Sequence, residues 1–146
     1  RLSAPPRYWM AATEDALIEA AFVRAETLVK ELGCRRSEVL LVTLDSGLLN
    51  KLQDLAVSKN KPHLLLKKRG DAVAVEGARQ SGQLILAHAD YVGGLEFAAV
   101  ILVGIDDGRV PPRSEEQESS RNFLSYAAHN RLYVAVTRAR YRVELI

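Results

Sequence analysis

The sequence predicts an α/β domain in which helices cover both faces of a mainly parallel sheet. Short apolar runs alternate with amphipathic segments that have a helical period, as in domains built from strand–helix–strand units. The apolar runs lack polar alternation, so both faces of each strand are expected to be buried. About half of the 146 residues are apolar (48%), which is enough for one core, and we expect a single domain over residues 1–146.

The first predicted helix begins after Thr13, a suitable N-cap, with Glu14 and Asp15 in the first turn, where the helix dipole favours acidic residues. Gly33 is placed to end this helix. Between them an apolar stripe recurs at three- and four-residue steps and consists of Ile18, Phe22, Ala25, Val29 and Leu32. Residues 39–44 form an apolar run too short for a helix, which predicts a buried strand.

Asp45 or Ser46 can cap a second helix that carries Leu48, Leu52 and Leu55 and ends near residues 60–62. Apolar runs at residues 63–66, 83–89 and 97–105 predict further strands. Residues 70–82 have weak periodicity and predict a connection with room for a short helix or strand. Residues 106–120 predict a loop, residues 122–140 a long helix and residues 142–146 a closing strand.

Several functional classes are excluded or disfavoured. No run of eighteen apolar residues and no signal-peptide pattern is present, which predicts a cytoplasmic protein without a membrane partner. Cys34 is the single cysteine, so the chain has no internal disulfide, and a small, partly buried thiol is expected. His63, His88 and His129 lack ligand spacing, and we expect no metal site. Phosphate-loop, dinucleotide-binding, nucleophile-elbow and HExxH motifs are all absent.

The net charge of +2 neither demands nor excludes a nucleic-acid partner. Basic residues nevertheless cluster between positions 59 and 69, namely Lys59, Lys61, Lys67, Lys68 and Arg69. Such a cluster can follow a phosphate backbone, and a solvated strand end is the alternative interpretation. The chain begins at Arg1 without a methionine, which leads us to expect a piece of a longer protein.

The most informative part of the sequence is its C-terminal half. Residues 88–112 read HADYVGGLEFAAVILVGIDDGRVPP, and residues 130–140 read NRLYVAVTRAR. They resemble motif V (about residues 84–97) and motif VI (about residues 123–140) of superfamily I DNA helicases of the UvrD/Rep/PcrA family. No single piece is specific, but the GLEF turn, the DDGRVP loop and the TRA helix occur in the family's order over about sixty residues. Residues 13–69 resemble the same domain in pattern only.

The resemblance implies a RecA-like three-layer domain that lacks its own phosphate loop. Such a domain would be the C-terminal motor domain of an ATP-dependent DNA helicase or translocase, of a kind that serves DNA repair. It would complete a site for ATP with Mg²⁺ together with an N-terminal RecA-like domain, which would supply the phosphate loop and the Mg²⁺ ligands. The implied partners are that domain and single-stranded DNA, and the isolated chain is expected to be inactive.

The resemblance also assigns residues to the nucleotide site. Glu96 matches a glutamate that contacts the nucleotide sugar, and Arg138 matches the arginine finger that faces the γ-phosphate. Gly94 belongs to the same motif as Glu96. Arg131 is seven residues before Arg138, which places both on one helix face, and an ion-paired helix face is the alternative for these arginines. The buried side of the helix is predicted to consist of Leu132, Ala135, Val136 and Ala139.

Single-stranded DNA is predicted to contact His88, Tyr91, Lys67 and Lys68. The chain departs from the family where Asp90 replaces a common histidine and Gly93 replaces a lysine. Ala127 and Ala128 also replace an acidic pair, and residues 70–82 stand where close relatives insert a large accessory domain. These departures leave open a non-catalytic, helicase-like nucleic-acid-binding or regulatory module. A plain nucleic-acid-binding domain that uses the lysine cluster is a third hypothesis.

Overall fold

The described residues form one parallel sheet of six strands with helices on both faces. The computed structural model of the chain describes residues 2–104, 131 and 134–146. The strands are β1 (Arg7–Tyr8), β2 (Val39–Thr43), β3 (His63–Leu65), β4 (Leu84–His88), β5 (Phe97–Leu102) and β6 (Ala139–Leu145). They are ordered β1-β6-β5-β2-β4-β3, and every neighbouring pair is parallel. The predicted α/β class with a mainly parallel sheet is confirmed.

The central strands β2 and β5 are buried along their whole length. Side chains that alternate along each strand contribute to two separate hydrophobic clusters. Leu41 and Ile101 pack on one face of the sheet, whereas Leu40 and Val100 pack on the other. This burial on both faces explains why these strands read as unbroken apolar runs in the sequence.

Helices α1 (Glu14–Leu32) and α2 (Ser46–Ser58) cover the first face. The Thr13 side chain accepts a hydrogen bond from the Ala16 amide at 3.1 Å, and Gly33 ends α1 with a φ of 60°, so both predicted caps are confirmed. Asp45 caps α2. The buried stripe of α1 is rotated from the predicted one, because Leu28 is fully buried while Val29 is only partly buried.

The second face is covered by α3 (Ala72–Ser81), by the connection between β4 and β5, and by helical residues near position 135. Helix α3 lies in residues 70–82, where the periodicity of the sequence is weak. The physical reason is that Ala78 is its only buried residue, so the helix has a narrow apolar contact. Its cap is Asp71, which accepts a hydrogen bond from the Ala74 amide.

The helix predicted for residues 122–140 ends earlier than expected. Residues 131 and 134–137 are helical, and β6 already begins at Ala139, three residues before the predicted strand. The early start follows from pairing with β5, since Phe97 lies opposite Ala139. Ala135 is buried and Val136 and Ala139 pack against the same core, as predicted. Residues 105–130, including Asp106, Asp107, Ala127, Ala128 and His129, and Leu132 lie outside the described residues.

A buried ion pair joins α1 to β6. Arg24 donates hydrogen bonds of 2.6 and 2.7 Å to the two carboxylate oxygens of Glu144. The Glu144 side chain is 1% exposed and that of Arg24 is 15% exposed, and the Arg24 guanidinium lies 4.3 Å from the centre of the Trp9 ring. The hydrogen bonds to Glu144 raise the pKa of Arg24. The pair therefore ties β6 to the helix that packs over it.

Cys34 follows α1 and is a free, half-buried thiol, in agreement with the sequence-based expectation. Its burial raises the pKa of the thiol. Within the part of the chain that the structure describes, no helix has the length and apolar character needed to span a bilayer.

Candidate nucleotide and nucleic-acid sites

Glu96 and Arg138 lie side by side at the edge of the sheet where β5 and β6 begin. The two strands are parallel, and Phe97 pairs with Ala139. In addition, the Phe97 amide donates a hydrogen bond of 2.8 Å to the Arg138 carbonyl. The structure therefore brings together, at the amino edge of the sheet, two residues that are 42 positions apart in the sequence.

The two side chains offer complementary chemistry at this edge. Glu96 is exposed. Among the described residues, the Arg138 guanidinium donates to its own turn, through Nε to the Val134 carbonyl at 3.2 Å and through Nη2 to the Thr137 hydroxyl at 3.1 Å. No carboxylate among the described residues forms a salt bridge with Arg138. The Glu96 carboxylate can accept hydrogen bonds and the Arg138 guanidinium can donate them, and these two kinds of group fit the hydroxyls and phosphates of a nucleotide.

Gly94 lies in the connection that leads from β4 to Glu96. This connection crosses the second face of the sheet and is anchored there by Val92 and Leu95, both of which are buried. Gly94 has a φ of 81°, a conformation that favours glycine, and a β-carbon added there would meet nothing within 4 Å. The glycine is therefore explained by the backbone turn that directs the chain into β5.

Arg131 is not brought together with Glu96 and Arg138. It donates two hydrogen bonds to Asp90, from Nε at 3.0 Å and from Nη2 at 2.9 Å. Asp90 follows the carboxyl end of β4, which is the opposite edge of the sheet. The hydrogen bond from Arg131 lowers the pKa of Asp90, and the charges of Arg131 and Arg69 act in the same direction. For Arg131 the geometry corresponds to the ion-paired helix face, the alternative interpretation of the sequence.

His88 holds the turn at the carboxyl end of β4. Its Nδ1 accepts a hydrogen bond from the Asp90 amide at 3.1 Å, which places the ring proton on Nε2, and Nε2 donates to the Leu44 carbonyl at 3.2 Å. The Asp90 carboxylate also lies 3.4 Å from Nδ1, but a nitrogen that accepts an N–H is not protonated, so this is not an ion pair. Both ring nitrogens contact the backbone, and His88 positions the turn instead of presenting a free donor.

Tyr91 and two of the basic residues lie at the same carboxyl edge. Tyr91 is partly buried against the second core, and its carbonyl accepts a hydrogen bond from the Gly70 amide at 2.9 Å. Lys67 and Lys68 are exposed and follow β3 directly. The structure thus places Lys67, Lys68 and Tyr91 at the same edge of the sheet.

The basic cluster seen in the sequence is divided by β3. Lys59 and Lys61 precede this strand, whereas Lys67, Lys68 and Arg69 follow it, so the two groups lie at opposite edges of the sheet. Lys59 pairs with Glu19 of α1 at 3.3 Å, and Lys61 lies over the ring of Phe22. The five basic residues therefore form two groups, because a strand carries the chain across the sheet within a few residues.

A groove between α1 and α2, lined by Ile18, Asp54 and Leu55, lies on the first face of the sheet, away from Glu96 and Arg138. Among the described residues, no group of three histidine, cysteine, aspartate or glutamate side chains could hold a metal ion. At the amino edge of the sheet, Glu96 is exposed and Arg138 is partly exposed.

No protein-family model and no curated protein matches the sequence. The fold, however, is found among solved structures. The C-terminal domain of a possible DNA helicase from Lactobacillus plantarum WCFS1 is similar with a TM-score of 0.67 at 15% identity, over 98% of this chain and 73% of that chain. The C-terminal part of the Fun30 ATPase domain has a TM-score of 0.53 at 13% identity, over 90% of this chain and 41% of that chain.

A structure described as XPD helicase is similar with a TM-score of 0.58 at 15% identity, over 96% of this chain and 31% of that chain. The chain therefore spans less than half of the last two structures. At these identities the likeness concerns the fold, and it shows that this chain has the RecA-like fold of helicase C-terminal domains.

The pairing of Asp90 with Arg131 was missed in the sequence. Asp90 was noted as a departure from the family and Arg131 as part of the nucleotide site, but nothing linked them. The two residues are 41 positions apart, and no local pattern connects them. The available signal was an acid, Asp90, where the family has a histidine in motif V, together with an arginine, Arg131, in motif VI.

Proposed function

We propose that this chain is the C-terminal motor domain of an ATP-dependent DNA helicase or translocase of the UvrD/Rep type. The observation that carries the proposal is the juxtaposition of Glu96 and Arg138 at the amino edge of the sheet. The RecA-like fold and the two sequence motifs support it. ATP with Mg²⁺ would bind between this edge and an N-terminal RecA-like domain, which would supply the phosphate loop and the Mg²⁺ ligands.

In this proposal each residue has a distinct task. Glu96 accepts hydrogen bonds from the hydroxyls of the nucleotide sugar. Arg138 directs its guanidinium to the γ-phosphate and stabilises the negative charge that develops there as the bond to the leaving group breaks. Because Arg138 has no carboxylate partner among the described residues, it needs to break no ion pair with them before it acts. Lys67, Lys68 and Tyr91 contact single-stranded DNA at the other edge.

The test is Arg138→Ala in the parent protein. We expect DNA-stimulated ATP hydrolysis to fall by about 10³- to 10⁵-fold, or roughly 4 to 7 kcal/mol of transition-state stabilisation. ATP affinity should weaken only modestly, because the guanidinium acts mainly on charge that develops during cleavage. Arg138→Lys should not restore the rate, since an ammonium lacks the planar fork that reaches two oxygens.

The matched control is Arg79→Ala, because Arg79 is an exposed helix arginine with a weak pair to Glu76. Its removal should leave the rate near normal. Thermal unfolding of both variants separates loss of chemistry from loss of fold. Near-normal hydrolysis by Arg138→Ala, or a loss that follows unfolding alone, would contradict the arginine-finger assignment.

A second candidate function is a non-catalytic, helicase-like binding module. The observation in its favour is that Asp90 replaces a histidine and engages Arg131 in an ion pair. The same measurement distinguishes the two candidates, because a non-catalytic parent protein has no ATPase rate for Arg138→Ala to reduce. A phosphate loop and a DExx sequence upstream in the parent gene would favour the motor.

A further inference from the structure

We propose that Arg131 is a phosphate-binding residue for single-stranded nucleic acid. In the structure its guanidinium is bound by the Asp90 carboxylate instead of a phosphate. The Asp90–Arg131 pair therefore weakens the binding of nucleic acid at the carboxyl edge of the sheet. The inference rests on the proposed function for the identity of the ligand. It goes beyond that function by assigning Arg131 to the nucleic-acid edge and by giving Asp90 a regulatory role.

The geometry of the pair is the first argument. Arg131 donates from Nε and from Nη2 to the two different oxygens of the same carboxylate, at 3.0 and 2.9 Å. This two-pronged arrangement is the one in which a guanidinium also binds the oxygens of a phosphate. A carboxylate held in this way therefore occupies the donors that a phosphodiester would need.

The second argument is accessibility. The side chain of Asp90 is 36% exposed and that of Arg131 is 43% exposed, so a polyanion can reach the pair from solvent. Exposed ion pairs contribute roughly 0 to 1 kcal/mol to stability, because water and salt screen them. A competing phosphate can therefore displace Asp90 without unfolding the domain.

The third argument is the charge that surrounds the pair. Lys67, Lys68 and Arg69 follow β3 at the same edge, and the charge of Arg69 contributes to the lowered pKa of Asp90. The neighbouring acids Asp45 and Asp71 cap α2 and α3. Asp90 thus engages an arginine beside a basic surface suited to a phosphate backbone.

The test measures how tightly the chain binds a fluorescently labelled oligo-dT, by anisotropy over a range of NaCl concentrations. Asp90→Asn should tighten binding on the order of fivefold at 0.1 M salt, because one more phosphate contact adds about 0.7 to the salt slope for a single strand. Arg131→Gln added to Asp90→Asn should return both the affinity and the slope to the wild-type values. Thermal unfolding checks that each variant is folded.

The matched control is Asp54→Asn, which makes the same change in net charge on α2, over the first face of the sheet. It should tighten binding less than twofold and leave the salt slope unchanged. Arg131→Gln alone should weaken binding, because it leaves the Asp90 carboxylate unpaired beside the strand. This second variant keeps the proposal testable if Asp90→Asn disturbs the turn.

Equal effects of Asp90→Asn and Asp54→Asn, or no effect of Arg131→Gln in the Asp90→Asn background, would overturn the inference while the proposed function stood. Failure of the wild type and all variants to bind the oligonucleotide would overturn the DNA contact in the proposed function as well. Tighter binding by Asp90→Asn that depends on Arg131 supports the inference.

Discussion

Glu144 is an almost fully buried carboxylate whose charge is balanced, among the described residues, by Arg24. Arg24 donates to both of its oxygens, and the Trp9 ring covers the guanidinium. Removing one partner from a buried pair is costly because the remaining charge has neither water nor a counter-ion. Breaking an exposed pair such as Arg36 with Glu26 costs little stability, because water solvates the charge that remains.

We predict that Arg24→Met lowers the free energy of unfolding by about 3 kcal/mol, near the lower end of the range for a broken buried pair because Arg24 itself reaches solvent. Arg36→Met is the matched control and should cost less than about 1 kcal/mol. Urea denaturation of both variants provides the measurement. Adding Glu144→Leu to Arg24→Met should recover much of the loss, because the stranded carboxylate is then removed.

If Arg24→Met proved no more destabilising than Arg36→Met, the buried pair would not be a principal tie between α1 and β6. This pair could not be predicted from sequence, since its partners are 120 positions apart. The same holds for Asp90 and Arg131. For Asp90 and Arg131 a motif position could be assigned from the sequence, but a contact between distant residues depends on how the sheet is assembled.

Helices and strands were predicted correctly from the sequence where their buried face produces a regular pattern of apolar residues. Helix α1 was predicted with both of its caps, and β2 and β5 were predicted from runs that are apolar on both faces. Helix α3 was left open because its contact with the core is narrow. The start of β6 was placed too late because residues 134–140 continue an apolar helical pattern, whereas pairing with β5 decides the boundary.

Two glycines allow the backbone turn before β5 to be tested. Gly94→Ala should destabilise the domain by about 1 to 2 kcal/mol, because φ is 81° and an L-residue is strained there. Gly77→Ala is the matched control, since Gly77 lies within α3 and has open space where the methyl group would be placed. It should stabilise the domain by about 0.5 to 1 kcal/mol.

Denaturant unfolding of the two glycine variants measures whether the free energy of unfolding falls for Gly94→Ala and rises for Gly77→Ala. Equal and small effects would show that Gly94 is not constrained by its backbone. A Gly94→Ala variant that remains folded would also be informative about the candidate site, because the turn sets where Glu96 enters the edge beside Arg138.

For the whole molecule, the parallel sheet separates two sets of residues. Glu96 and Arg138 precede β5 and β6, whereas Lys67, Lys68 and Tyr91 follow β3 and β4. Because all strands run in the same direction, these sets lie at opposite edges. Candidate nucleotide residues and candidate nucleic-acid residues are therefore joined through the rigid strands, and movement of one edge against a second domain would move the other edge with it.

The edge position of Arg138 leads to a prediction for the chain on its own. We expect no ATP turnover by the 146-residue chain, with or without single-stranded DNA, because its sequence has no phosphate loop to hold the phosphates against the guanidinium. Phosphate release is the measurement. Adding the separately purified N-terminal domain of the parent protein should produce DNA-stimulated turnover, and the same mixture with Arg138→Ala should remain inactive. Turnover that stays with the isolated chain through successive purification steps would contradict a site shared between two domains, because one domain would then suffice for hydrolysis.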